Sequence, residues 1–205
     1  MSIDSLVYVV DDDSAVRTAI TNLVEDMGCK ASPYSNDRDF LDSISQEVAG
    51  NCLVLDIRMP GMSGMELLAK LHHDNIVLPV ILVTGHGDIP MTVKALKMGA
   101  VDVLEKPFHE QVLWKKIQNA LEIGAENSNL QDQKDSFMEK VSLLKPKERR
   151  VIKYLLNGNN DKMIANEIGV TRRAVGFQRT NALKKLDVSG ILELARIMSG
   201  FDIEI

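Results

Sequence analysis

The sequence predicts an α/β fold, a doubly wound five-stranded parallel sheet, followed by a small all-α domain. Three observations carry that expectation. From residue 6 to about 122, short apolar runs alternate with segments of helical period. The connections "MPGMSG", "TGHGD" and "KPF" carry the Gly and Pro of loops. Beyond residue 140 the strand pattern disappears and short helical segments follow one another. A chain of 205 residues is long for one small core and comfortable for two.

The strands expected in order are Leu6–Val10, Lys30–Tyr34, Cys52–Asp56, Pro79–Val83 and Asp102–Lys106. Between the first two, Val16, Ala19, Ile20, Leu23, Val24 and Met27 recur at helical spacing, with Ser14 placed as N-cap and Gly28 just past the end. Five βα units then fill residues 1–122, and His109 is placed at the start of the last helix. Residues 123–140, polar and aromatic-poor, read as a linker, helical in part. Leu130, Phe137, Val141 and Leu144 form a weak helical stripe there, consistent with a few packing residues or with a dimer-forming coil.

In residues 141–205, Pro146 opens a helix that Gly158 closes, with Val151, Ile152, Leu155 and Leu156 as its buried stripe. "DKMIANEI" is a second helix stopped by Gly169, Thr171 caps a third, "RRAVGFQRTNALKKL", and Ile191–Met198 is a fourth. Two short helices joined by "IGVT" make a helix-turn-helix whose recognition helix follows Thr171.

Composition narrows the function. The apolar run "IVLPVILV" is too short to span a bilayer, and "LVYVV" is too short for a signal-peptide core, so a cytoplasmic protein without membrane contact is expected. Cys29 and Cys52 stand outside any CxxC pattern and read as reduced thiols. The net charge of −5 hides an asymmetry: residues 1–140 hold 12 Lys and Arg against 22 Asp and Glu, residues 141–205 hold 12 against 7. The two parts face different partners.

In "LVLDIRMPG" the carboxylate of Asp56 ends an apolar strand, which is expensive without a cation or a chemical task. In an open parallel sheet the carboxyl ends of the strands gather along the ligand-binding edge. Asp11, Asp12 and Asp13, Asp56, Thr84 and Lys106 all fall there. Several carboxylates in one cleft call for a cation, and oxygen donors suit Mg²⁺.

The motifs "VVDDD", "LVLDIRMPGMSG", "ILVTGHGD" and "GAVDVLEKPF", in this order over residues 5–122, resemble the CheY-like receiver domain of bacterial two-component response regulators. That resemblance implies that Asp56 is the phosphoacceptor for a sensor histidine kinase. It implies Mg²⁺ as cofactor, held by Asp11, Asp12, Asp56 and the backbone carbonyl of Arg58, with Thr84 and Lys106 binding the phosphoryl group. It further implies a cis Lys106–Pro107 bond, and no enzymatic activity beyond self-phosphorylation and autodephosphorylation. The chemistry is consistent, because transfer to a carboxylate brings negative charge onto negative charge and needs the metal and Lys106. Asp13 lies one place outside the usual pair. Val103 stands where many receivers carry a switching Phe or Tyr, so the signal is expected to pass instead through repacking of the fourth helix and fifth strand, as a homodimer forms.

"LLKPKERRVIKYLLNG", "DKMIANEIGVT" and "AVGFQRTNALKKL" resemble the LuxR-type helix-turn-helix of the FixJ/NarL class, over roughly residues 142–200. Double-stranded DNA is then the implied partner, with RNA polymerase beside it. Thr171, Arg172, Arg173, Gln178, Arg179, Asn181, Lys184 and Lys185 are the candidate DNA contacts, Gln178 and Asn181 being able to pair with adenine. Phe177 can touch a thymine methyl, although an apolar residue at helical spacing is more often packed. Lys145 stands where a capping Thr is common. Gly176 and Thr180 replace residues often charged in relatives, and Gly176 either lets the backbone approach DNA or weakens contact.

Other features carry less. His72 and His73 are adjacent and do not share a helix face. His86 is a neighbour of the acidic site, and the Met residues of "MPGMSGM" are gap-fillers. A haloacid-dehalogenase-like phosphatase would need a second carboxylate two residues after Asp56, where Arg58 stands. The remaining alternatives are DNA binding independent of phosphorylation and an RNA- or protein-interaction module.

Overall fold

The computed structural model describes residues 5–44, 50–85 and 89–205. His86 lies outside them. Two compact units, 1–130 and 131–205, are distinguished.

The first unit alternates strand and helix: β1 (Leu6–Val10), α1 (Ser14–Asp26), β2 (Lys30–Tyr34), α2 (Asp37–Ser43), β3 (Cys52–Asp56), α3 (Gly64–His73), β4 (Val80–Thr84), α4 (Ile89–Lys97) and β5 (Asp102–Glu105), after which α5 (Glu110–Ser142) begins in this unit and ends in the second. The strands are parallel in the order β2-β1-β3-β4-β5. Both faces are covered, which is why β3 and β4 read as unbroken apolar runs. One face packs Leu53, Leu55 and Leu82 against Phe40, Leu67 and Leu71. The other packs Val7, Val54 and Ile81 against Ile20, Leu113 and Ile117.

Pairing corrects two strand boundaries. β4 starts at Val80 rather than Pro79 and includes Thr84, and β5 stops at Glu105, one residue short of Lys106. The cap of α1 is also corrected: Asp13, not Ser14, is the N-cap, its carboxylate accepting from the N–H groups of Ala15 at 2.8 Å and Val16 at 3.4 Å. Asp13 thereby has a task of its own outside the metal set. Ile20, Leu23 and Val24 are buried on α1, whereas Ala19 and Met27 are exposed.

Residues 123–140 are helical throughout, within α5, because Ala, Glu, Gln, Lys, Leu and Met sustain a helix without a core of their own. Of the weak stripe, Phe137, Val141 and Leu144 are buried in the second unit, while Leu130 is exposed. Packing within one chain therefore accounts for most of that stripe.

The second unit adds α6 (Pro146–Leu156), α7 (Asp161–Ile168), α8 (Arg172–Leu186) and α9 (Ile191–Phe201). α9 runs three residues beyond Met198. Gly169 takes the left-handed conformation that ends α7, and Thr171 Oγ1 accepts from Ala174 N–H to start α8. Ile152, Ala182, Leu186 and Leu194 form the main core, and Val151, Ile164 and Val175 lock α6, α7 and α8 together. Lys145 is the N-cap of α6, and the Glu148 carboxylate accepts its N–H at 2.8 Å, half of a capping box.

Candidate functional site

The carboxyl edge of the sheet is built by strand ends. β1 delivers Asp11, 1% exposed, and β3 delivers Asp56, 5% exposed. β4 delivers Thr84, fully buried, whose carbonyl accepts the Lys106 N–H at 2.7 Å. That bond places Lys106 just past β5, followed by a cis Lys106–Pro107 peptide. Lys106 Nζ then reaches Asp11 Oδ2 at 2.7 Å and Asp56 Oδ1 at 2.8 Å. The other Asp56 oxygen accepts Arg58 N–H at 3.0 Å.

Asp11, Asp12 and Asp56 each bring one carboxylate oxygen to within 4.8 Å of the others. Asp11 and Asp56 are buried and Asp12 is exposed, so the cluster opens to solvent on one side. Burial pushes the Asp11 carboxyl above the usual range, and the nearby Asp56 charge adds to this against the opposing pull of Lys106. Burial works against the Lys106 ammonium, yet its hydrogen bonds and charge pairing with the two carboxylates win and raise its pKa.

Two contributions were not foreseen from sequence. Arg17 Nη1 donates to the Asp11 carbonyl at 2.6 Å and the Asp12 carbonyl at 3.4 Å, holding the acidic turn from the first turn of α1. Gly64, the first residue of α3, lies so close to β3 that a Cβ there would sit 2.2 Å from the Asp56 carbonyl oxygen. Only the glycine in "MSG" hinted at this approach. Val103 is half-buried and packs against the core cluster that includes Ala95, as do Met91 and Met98.

In the second unit the candidate DNA contacts divide. Arg172, Arg173 and Lys184 are exposed on α8, Asn181 and Gln178 are half-buried, and Thr171 is an exposed cap. Arg179 Nη1 is paired with Asp161 Oδ1 at 2.8 Å. Lys185 Nζ is paired with the buried Glu148 at 2.6 Å and donates to the Leu143 carbonyl at 3.1 Å. Those two cations clamp α8 to α7 and to the start of α6, a tertiary task that spacing along α8 does not reveal. Phe177 is 63% exposed, against the expectation that it packs. The reason is angular: it lies opposite Val175, Ala182 and Leu186, the residues that face the core.

Comparison with known proteins agrees with both units. Residues 7–118 match the response regulator receiver domain, and residues 142–198 match the bacterial regulatory proteins of the luxR family. The response regulator protein TmoT of Ectopseudomonas mendocina is 37% identical over 95% of this chain and 88% of its own length. The transcriptional regulatory protein FixJ of Azorhizobium caulinodans is 36% identical over 93% of this chain and 90% of its own. A solved structure of the response regulator StyR is similar with a TM-score of 0.80 at 36% identity, covering 96% of this chain and 99% of that one.

Proposed function

Since the chain belongs to the response regulators that join a receiver domain to a LuxR-type DNA-binding domain, we propose that phosphorylation of Asp56 by a histidine kinase controls its dimerisation and sequence-specific DNA binding. The observation that carries this reading is the convergence of Asp11, Asp12, Asp56, Thr84 and Lys106 on one sheet edge.

The donor set fits a hard divalent cation, three carboxylate oxygens within 4.8 Å of one another with one side open. Asp11, Asp12, Asp56 and the Arg58 carbonyl would hold Mg²⁺, which when bound neutralises phosphoryl charge. An Asp56 oxygen forms the bond to phosphorus while the P–N bond of the donor phosphohistidine breaks and its electron pair stays on the imidazole. Lys106, already 2.8 Å from Asp56, exchanges part of its carboxylate pairing for the arriving phosphoryl oxygens. The Thr84 hydroxyl binds another of those oxygens, and the repositioned end of β4 transmits the event to the α4–β5 face. With Val103 in place of an aromatic, that transmission runs through the core on which Val103, Met91 and Met98 all pack.

DNA is bound by α8 in the major groove, its cations neutralising phosphates, and recruitment of RNA polymerase follows in the cytoplasm. The test is selection of duplexes from a random pool by the full-length protein, with and without beryllofluoride and Mg²⁺, beside an Asp56→Asn control. Enrichment of one sequence that strengthens with the mimic only in the wild type is expected. Equal enrichment in all conditions would show DNA binding independent of phosphorylation.

A further inference from the structure

We infer that Phe177 is a specificity-determining residue, reading the C5-methyl group of thymine in the major groove. The inference rests on the DNA-binding reading of α8 and deepens it. Counting along the helix, Arg173, Phe177, Thr180 and Lys184 fall on one line directly opposite the core residues Val175, Ala182 and Leu186. All four are exposed, Phe177 by 63%. A basic residue thus stands near each end of the outward stripe, and the middle of the stripe is apolar.

Thr180 strengthens that contrast. Its hydroxyl donates to the Gly176 carbonyl at 3.0 Å, so its polar atom is turned back on the helix. Gly176, beside Phe177, adds no side chain that would hold the ring away from a surface. Gln178, which spacing suggested as an adenine reader, lies about a third of a turn off the outward line and is half-buried.

The occupant follows from chemistry. Arg173 and Lys184, with exposed Arg172 nearby, select a polyanion and bring the stripe against it. A phenyl ring offers neither donor nor acceptor. The one apolar group that the four base pairs display in the major groove is the thymine methyl. Phe177 therefore distinguishes T from C, G and A by burial, without a hydrogen bond.

The experiment uses the duplex selected by the full-length protein from the random pool. Each thymine in it is replaced in turn by deoxyuridine, which removes only the methyl, and affinity is measured for wild type, Phe177→Leu and Phe177→Ala. The expected result is a loss of about threefold to fivefold at one or two positions for the wild type. Phe177→Leu keeps part of that loss and Phe177→Ala abolishes it. Thermal melting equal to wild type checks that the variants fold, as the exposed ring predicts. A uracil penalty that persists undiminished in Phe177→Ala overturns the inference, and so does the absence of any penalty, which would point to a protein partner for the ring. If no duplex is enriched at all, the DNA reading falls and takes the inference with it.

Discussion

Lys106 and Asp56, 50 residues apart in the chain, meet Nζ to Oδ1 at 2.8 Å, and the same ammonium holds Asp11 at 2.7 Å. One cation thus serves two buried carboxylates, with Asp12 close by at the open side. A single positive charge is too little for such a cluster, which is why burial still holds the Asp11 carboxyl above its ordinary value. The cost is useful, since it favours any cation that enters and raises the local demand for positive charge.

Asp11→Asn is accordingly expected to melt at a higher temperature than wild type at pH 7 in the presence of a chelator. A carboxyl whose folded pKa is raised binds its proton more tightly in the folded state. Its folded state therefore loses stability as pH rises from the ordinary aspartate value of 3.8 through the folded value. Asparagine removes that loss, so the variant's advantage shrinks as the pH is lowered toward 3.8. Adding Mg²⁺ raises the wild-type melting temperature and leaves the variant unmoved. Equal melting of the two chelated proteins at pH 7 would sink this account.

Gly64→Ala is expected to damage the receiver out of proportion to one methyl group. The new Cβ would lie 2.2 Å from the Asp56 carbonyl oxygen and 3.0 Å from Ile57 Cα, both backbone atoms that cannot rotate away. Either α3 moves off the sheet or the Asp56 strand end shifts. A loss of about 3 kcal/mol or more in urea unfolding follows. Beryllofluoride binding falls with it, because the displaced strand end carries Asp56, the proposed acceptor. A variant with wild-type stability would mean that α3 is free to retreat.

The sequence made the receiver legible because its site is a consequence of topology. Once five parallel strands are recognised, their carboxyl ends must share an edge, and Asp11, Asp56, Thr84 and Lys106 meet there whatever the loops do. Local competition was harder to read. Asp and Ser are nearly equal N-caps, so "DDDS" did not distinguish Asp13 from Ser14. Residues 123–140 were expected to be helical only in part, because their polar side chains favour a helix without advertising a buried face that would show its full extent. Tertiary pairing was not readable at all: Lys185 and Glu148 are 37 residues apart, and nothing near either signals the other.

Gly176→Ala tests whether the glycine in α8 serves the fold. An added Cβ would meet nothing closer than Asp161 Oδ2 at 3.9 Å, and the backbone there is helical. The substitution is therefore expected to stabilise the helical domain by about 0.5 to 1 kcal/mol, the helix propensity difference between the two residues. Denaturant midpoints measure it. A destabilised variant would show that the Asp161–Arg179 pair beside it has no room to adjust.

The Lys185–Glu148 pair links stability of the helical domain to pH. Glu148 is 2% exposed and accepts from both Lys185 Nζ and Lys145 N–H. Burial pushes its carboxyl up, but these hydrogen bonds and the Lys185 charge win and hold it below the ordinary glutamate value of 4.5. A depressed folded pKa gives stability that is present above 4.5 and lost as pH falls through the folded value. Lys185→Met leaves the buried carboxylate without its cation. A loss of about 2 kcal/mol at pH 7 is expected, below the range for fully buried pairs because Lys185 is itself partly exposed. In the variant burial acts unopposed by the ammonium, the carboxyl takes up its proton earlier, and the gap to wild type narrows on acidification toward pH 4.5. Glu148→Gln added to Lys185→Met recovers part of the loss at pH 7, since no charge is then left buried. Urea unfolding followed on the helical domain at several pH values measures all three proteins, and a gap that stays constant with pH would show that Glu148 is not charged in the folded wild type.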